Sequence, residues 1–228
     1  MEILIFGCGG IGSAIAQGLL EDGHSVTVTF HSGEGAQRAL ELTRLGAKAL
    51  PFSMGDLRTA EISLRALSRK ENPYRAVIWA AGVVFPGLLR ETKLEEDELT
   101  FLVNFWGPCL LLKYAGEFLP QGGKMIFLSS STSLRESPGL AVYAASKAAL
   151  NSLIMSAAEE LISSGIRLYN LCLGRVATPL RKRIAPNEDP STIMQPEELL
   201  PIVRMILSPW GDTLSVYPIR IHKGPYPK

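Results

Sequence analysis

The chain has 228 residues, 46% hydrophobic and 20% charged, with 23 basic against 22 acidic side chains. A formal charge of +1 supplies no field for gripping a polyphosphate backbone, which argues against a nucleic-acid partner, and the apolar content is too high for a disordered chain. The most apolar stretch, residues 77–89, is broken by Gly82, Pro86 and Gly87 and falls short of the roughly 18 residues of a membrane span, so no membrane partner is expected.

The first residues lack the basic start and the apolar stretch of about 7–15 residues that mark a signal peptide, so a cytoplasmic protein is expected. Cys8, Cys109 and Cys172 are far apart and show no CxxC spacing, which argues against disulfides and thiolate metal sites. His24, His31 and His222 are scattered without carboxylate neighbours, and no metal site is predicted.

In chain order, residues 3–6 form a β-type apolar run, and Ile11, Ile15, Leu19 and Leu20 then recur at helical spacing up to Gly23. Val26, Val28 and Phe30 alternate with threonines as a second strand. Residues 34–45 read as a helix capped by Gly46, 47–52 as a third strand, and Asp56 as the cap of a helix reaching about Arg69. Residues 75–80 give a fourth strand. A long helical stretch over 96–119 is expected to bend at Gly107-Pro108. Residues 124–128 are a fifth strand, followed by a serine-rich segment at 129–133; 141–164 are the longest helix, 166–173 a sixth strand and 214–221 a seventh. Strands alternating with helices require crossovers, which build a parallel sheet covered on both faces. The fold expected is therefore α/β, a doubly wound parallel sheet of about seven strands in one domain over residues 1–228. Residues 175–195, with Pro186 and Pro190, have the place of a substrate-covering loop.

Gly7-Cys8-Gly9-Gly10-Ile11-Gly12 fits the dinucleotide-binding fingerprint G-x-G-x-x-G. Gly7 permits a tight turn, Gly9 a close approach to a pyrophosphate, and Gly12 close packing of helix on strand, while amides at the helix start face the phosphates. A carboxylate at the end of the second strand would select NAD. The chain instead has Phe30-His31-Ser32-Gly33, with Arg38 one turn into the next helix. This favours NADP; Glu34 lies close enough to leave NAD open.

Tyr143 and Lys147 are four residues apart, on one face of a helix. A carbonyl that accepts hydride needs a proton donor, and a neighbouring cation favours the phenolate, bringing a tyrosine down from near 10 toward working pH. Ser130 stands at the carboxyl end of the fifth strand, where open α/β sheets bind ligands; Ser129, Ser131 and Ser133 compete for the same role.

Taken together, these features resemble the short-chain dehydrogenase/reductase family, whose members are single-domain Rossmann-type oxidoreductases. The matching segments fall in order along nearly the whole chain: the glycine turn, Ala80-Ala81-Gly82, Asn104, Ser130, Tyr143 with Lys147, and residues 173–178. The resemblance implies Tyr143 as general acid–base, Ser130 as the residue orienting the carbonyl, and Lys147 as partner of the tyrosine and of the nicotinamide ribose. It implies that Asn104 holds a water of the proton relay and that Val176 and Thr178 contact the nicotinamide amide. It also implies a homo-oligomer, dimer or tetramer, formed through the helices at 96–119 and 141–164. The chain departs from the family pattern in a glycine turn one residue shorter, with Phe6 in place of threonine. Ala80-Ala81-Gly82 lacks the family's asparagines, Leu173 replaces a proline, Ser53 an aspartate, and the C-terminal residues 221–228 differ.

The expected function is interconversion of a carbonyl and a secondary alcohol on a small-molecule substrate with NADP or NAD. A catalytically silent NAD(P)H-binding regulator is the alternative from another class, but it should have lost Ser130, Tyr143 or Lys147. A nucleotide-sugar epimerase or dehydratase would want a larger C-terminal region. Arg181-Lys182-Arg183 could attract an anionic substrate or simply form a solvated loop.

Overall fold

Seven parallel strands form one sheet in the computed structural model, which describes residues 1–69, 71–214 and 218–223. They are β1 (Glu2–Phe6), β2 (Ser25–Phe30), β3 (Lys48–Pro51), β4 (Ala76–Trp79), β5 (Lys124–Ser130), β6 (Arg167–Leu173) and β7 (Ile219–Ile221), in the order β3-β2-β1-β4-β5-β6-β7. The helices are α1 (Gly10–Glu21), α2 (Gly33–Arg44), α3 (Leu57–Ala66), α4 (Leu94–Phe101), α5 (Gly107–Lys113), α6 (Ala115–Phe118), α7 (Ala141–Leu161), α8 (Pro179–Ile184) and α9 (Leu200–Leu207). This is the doubly wound arrangement expected from the alternation of strands and helices.

The central strands are apolar on both faces because both are covered. Successive side chains alternate: Ile3, Ile5, Ile78 and Ile126 join one core with Ile15 and Leu19 of α1 and Val203 of α9. Leu4, Val77, Trp79 and Phe127 join the other with Leu64 of α3, Leu111 of α5, and Leu150 and Ile154 of α7. Strand order reverses between β1 and its two neighbours β2 and β4. A crevice opens at such a point beyond the strands' carboxyl ends, and the glycine turn and the β4 terminus meet there.

Several boundaries differ from the sequence-based expectation. The 96–119 helix is interrupted earlier than Gly107, by a π-helical turn at Leu102–Trp106. Pro108 has no N–H to give the Asn104 carbonyl, and the Gly107 N–H reaches back five residues to Leu102 O instead. β5 runs on to Ser130, so this serine ends the strand rather than following it. α3 stops at Ala66, not Arg69. α9 is not among the elements expected from the sequence; its Pro201 occupies the tolerated first turn. The covering segment is partly ordered by α8 and by a parallel bridge from Val176 to Met194. β7 is limited to three residues; residues 215–217 of the expected strand and 224–228 of the atypical C-terminus lie outside the described residues.

Candidate active site

The glycine turn is held by contacts that exclude side chains. Gly7 has φ +93°, and a Cβ there would lie 2.7 Å from the backbone of Ala81, while one on Gly12 would collide with the Gly7 carbonyl. The Gly7 N–H donates to Thr29 Oγ1 at 3.1 Å. At Gly9 the space is open, and α1 begins without a side-chain cap, leaving its first amides to the cleft. A cradle of this shape with uncapped helical N–H groups fits a pyrophosphate. Thr178 closes over it, because a Cβ on Gly10 would meet Thr178 Cγ2 at 3.0 Å.

A cleft of about 450 Å³ runs from this turn to the end of β5. Of the residues singled out from sequence, Gly9, Gly10, Ile11, Ser32, Ala80, Ala81, Gly82, Ser130, Tyr143, Lys147, Val176 and Thr178 line it. Gly7, Gly12 and Asn104 stand behind its wall. At one end Ser32 begins α2 beside His31 and Arg38. Glu34 is turned onto Arg38 at 3.0 Å and does not line the cleft.

At the other end the backbone of β5 presents Ser130, whose Oγ accepts hydrogen bonds from Thr132 N–H at 3.3 Å and Thr132 Oγ1 at 2.9 Å. With both acceptor sites engaged, the Ser130 proton is the group left to donate into the cleft. Tyr143 and Lys147 lie one turn apart on α7 and are both buried. Lys147 Nζ donates to the Leu128 carbonyl at 2.9 Å and stands 5.9 Å from the centre of the Tyr143 ring.

The electrostatics differ from the expectation drawn from spacing. Burial holds the Tyr143 phenol above its ordinary value, and its hydrogen bond with Ser130 offsets only part of this. Burial also pushes Lys147 down to about 8. In the protein alone, desolvation outweighs the hydrogen bond from Ser130, so the phenol stays protonated. The other buried titratable groups follow the same rule: burial raises the Cys172 thiol and takes Cys8 up to about 11, as suits cysteines used as small apolar residues.

Asn104 is fully buried on the π-turn. Its Oδ1 accepts from Val83 N–H at 3.0 Å, and its Nδ2 donates to Val83 O at 3.0 Å and to Ser146 Oγ at 3.1 Å. Both amide protons are therefore engaged, and the side chain braces the cleft floor. Gly82 fits beneath it, a Cβ there lying 3.4 Å from Asn104 Oδ1 and 3.7 Å from Lys147 Nζ.

Sequence reasoning missed Asn151. Its Oδ1 accepts from Ser129 Oγ at 2.6 Å and Asn170 Nδ2 at 3.0 Å, and its Nδ2 donates to Ser133 Oγ at 2.7 Å. Ser133 Oγ in turn donates to the Ser130 carbonyl at 2.5 Å. A polar residue one turn past Lys147, on the apolar face of α7, was the available signal. Three of the four serines in this segment thus have separate tasks: Ser130 faces the cleft and Tyr143, while Ser129 and Ser133 bond the core amide.

A family model described as enoyl-(acyl carrier protein) reductase matches residues 7–206. An oxidoreductase of Thermotoga maritima is 33% identical over 205 residues, covering 87% of this chain and 78% of that one. An NADPH-dependent aldehyde reductase-like chloroplast protein of Arabidopsis thaliana is 27% identical, over 94% of this chain and 90% of its own. Among solved structures, BdcA in complex with NADPH superimposes with a TM-score of 0.85 at 23% identity, over 96% of this chain and 92% of that one, a likeness of fold. Fold, ordered motifs and family match agree, and the chain belongs to the short-chain dehydrogenase/reductase family of NAD(P)-dependent oxidoreductases.

Proposed function

We propose that the cleft binds NADP in preference to NAD and interconverts a carbonyl and a secondary alcohol on a small molecule. One observation carries this reading: the pyrophosphate cradle at Gly9–Ile11 and the Ser130–Tyr143–Lys147 group line the same cleft. The NADP preference is supported by Arg38 and Ser32 at the adenosine end and by Glu34 being drawn aside. The relatives that bind NADPH by name point the same way.

The bound nicotinamide would supply or accept the hydride. Ser130 donates to the substrate oxygen and holds it beside Tyr143. The buried phenol, protonated at neutral pH, gives its proton to that oxygen. Lys147 lies near enough to favour the phenolate left behind, and its hydrogen bond to Leu128 O keeps it in place. Val176 and Thr178 face the cofactor from above, and Ala80 to Gly82 form the floor. Asn104 contributes by position, fixing Gly82 and Val83 against Ser146.

Substrate recognition falls to the strand-end loops and to residues 175–195 of one domain. A cytoplasmic homodimer or tetramer is the assembly we favour, since Leu94, Leu99, Trp106 and Met155 leave apolar surface exposed along α4, the π-turn and α7. No helix among the described residues is long and apolar enough to cross a membrane.

The decisive experiment is Tyr143→Phe. In a screen of ketones and alcohols followed by nicotinamide absorbance, the variant keeps its NADPH affinity and melting temperature and loses about 100-fold or more in turnover. A fully active variant would overturn the assignment.

A further inference from the structure

The cleft wall beyond Ser130 opens into a second, smaller pocket of about 140 Å³, and the two share Ser131, Arg135, Gly174 and Arg175. Arg135, Arg175, Arg220 and Lys223 line this side pocket together with His222, and among the described residues no aspartate or glutamate lines either cavity. In a chain with nearly equal numbers of acidic and basic groups, this is a local concentration of positive charge. Among the described residues two carboxylates offset part of it from outside, and Arg220 and His222 have interactions of their own within the chain. Glu188 lies 3.0 Å from Arg175 but is shared with Arg181 at 2.6 Å, and Glu198 lies 3.7 Å from Lys223. Arg135 has no carboxylate partner among the described residues.

The position of the pocket gives the charge a purpose. Ser130 pairs with Leu173 in the sheet register, and Gly174 and Arg175 follow directly. Arg135 lies just past the turn after Ser130. A substrate whose carbonyl oxygen meets Ser130 and Tyr143 can reach this pocket past the residues that the two cavities share. Its size admits a short anionic group and excludes a bulky chain. The guanidinium groups of Arg135, after β5, and Arg175, after β6, line both cavities and match carboxylate or phosphate oxygens.

We infer that the side pocket is a substrate-anion subsite, and that the enzyme acts on carbonyl compounds carrying a carboxylate or phosphate close to the reacting carbon. The orientation of the substrate rests on the proposed reductase reading; the charge and the cavity do not.

The test compares acetoacetate with its methyl ester, and dihydroxyacetone phosphate with dihydroxyacetone, for kcat/KM with NADPH. The same four compounds are titrated calorimetrically onto the NADP-loaded protein. The charged member of at least one pair is expected to be favoured by about tenfold or more, and which pair responds identifies the anion. Arg135→Gln and Arg175→Gln each reduce that ratio about tenfold, mainly through KM, whereas the remote Lys48→Gln does not. Equal use and equal binding of charged and neutral partners overturns the subsite, as does a charge preference that neither arginine variant alters. If nothing is turned over but anion binding still falls in both variants, the subsite stands and the reductase reading fails. Thermal melts of each variant separate local effects from unfolding.

Discussion

The side-chain amide of Asn104 donates to Ser146 Oγ at 3.1 Å, joining residues 42 positions apart across the π-turn and α7. Ser146 also donates to the Tyr143 carbonyl at 2.7 Å, so a single chain of hydrogen bonds links the cleft floor at Val83 to the helix turn carrying the tyrosine. Asn104→Ala leaves the Val83 N–H and C=O without these partners, while the Ser146 hydroxyl keeps its donation to Tyr143. Leaving buried polar groups unpaired costs about 1–3 kcal/mol each where water cannot replace the partner. The variant is expected to lose about 2–4 kcal/mol in urea denaturation, with turnover reduced along with stability. A variant of unchanged stability would show that water repairs the gap.

Asn151 makes a different prediction because it touches neither the cleft nor the Ser130 and Tyr143 hydroxyls. It acts on Ser130 through Ser133, whose hydroxyl fixes the Ser130 carbonyl. Asn151→Ala should lower kcat by about tenfold through loss of positioning and leave the KM for NADPH unchanged, since the glycine turn is remote. Stability should fall by about 2–4 kcal/mol. A purely structural role would lower stability without the selective kcat loss, and Asn151→Gln would then rescue nothing. Steady-state kinetics beside denaturation curves separates the two.

These two amides also mark where sequence reading stops. The glycine turn and the Tyr143–Lys147 pair stand out because each rests on spacing within one turn or one helix, and Ser130 because it lies at a strand end. Asn104 was recognised only through family resemblance, and its partners Val83 and Ser146 lie 21 and 42 residues away. Asn151 joins groups 18 to 22 residues off, on three elements. Spacing likewise pointed to a tyrosine brought down by its lysine, whereas burial holds the Tyr143 phenol up in the protein alone, because burial is set by the packing of α7 against β5 and β6. The break in the long helix was misplaced for a local reason. A proline disturbs the turn before it, where its missing N–H would have bonded.

Arg38 tests the cofactor preference. It lines the adenosine end of the cleft with His31 and Ser32, and its pair with Glu34 is an exposed i,i+4 contact of the kind worth only about 0.3–0.5 kcal/mol. That contact is weak enough to yield to a 2′-phosphate. Arg38→Ala is expected to weaken NADPH binding by about 10- to 100-fold, the range of a lost charge-assisted contact, with little change for NADH. Fluorescence titration of both cofactors reads the ratio directly. An equal loss for both would place Arg38 against a group the two cofactors share.

Lys147 carries a prediction about stability and pH. Burial moves it from an ordinary 10.5 to about 8, so the folded chain holds this proton less tightly than the unfolded one. Below about pH 8 both states are protonated and the full cost of the buried cation is carried. Between about 8 and 10.5 the folded lysine is neutral while the unfolded one is still charged. Unfolding then takes up a proton, and stability rises with pH. Tyr143 works in the opposite direction at higher pH: its raised value means that the unfolded phenol ionises first, so stability falls once pH exceeds about 10. For the cofactor-free protein, the stability difference between Lys147→Met and wild type should therefore be largest near pH 7, in favour of the variant. It should shrink as pH approaches about 9.5. Urea midpoints across this range provide the measurement. A difference that stays constant with pH would mean that Lys147 keeps its full charge in the folded protein, and the phenol would then have a stronger cation beside it than burial allows.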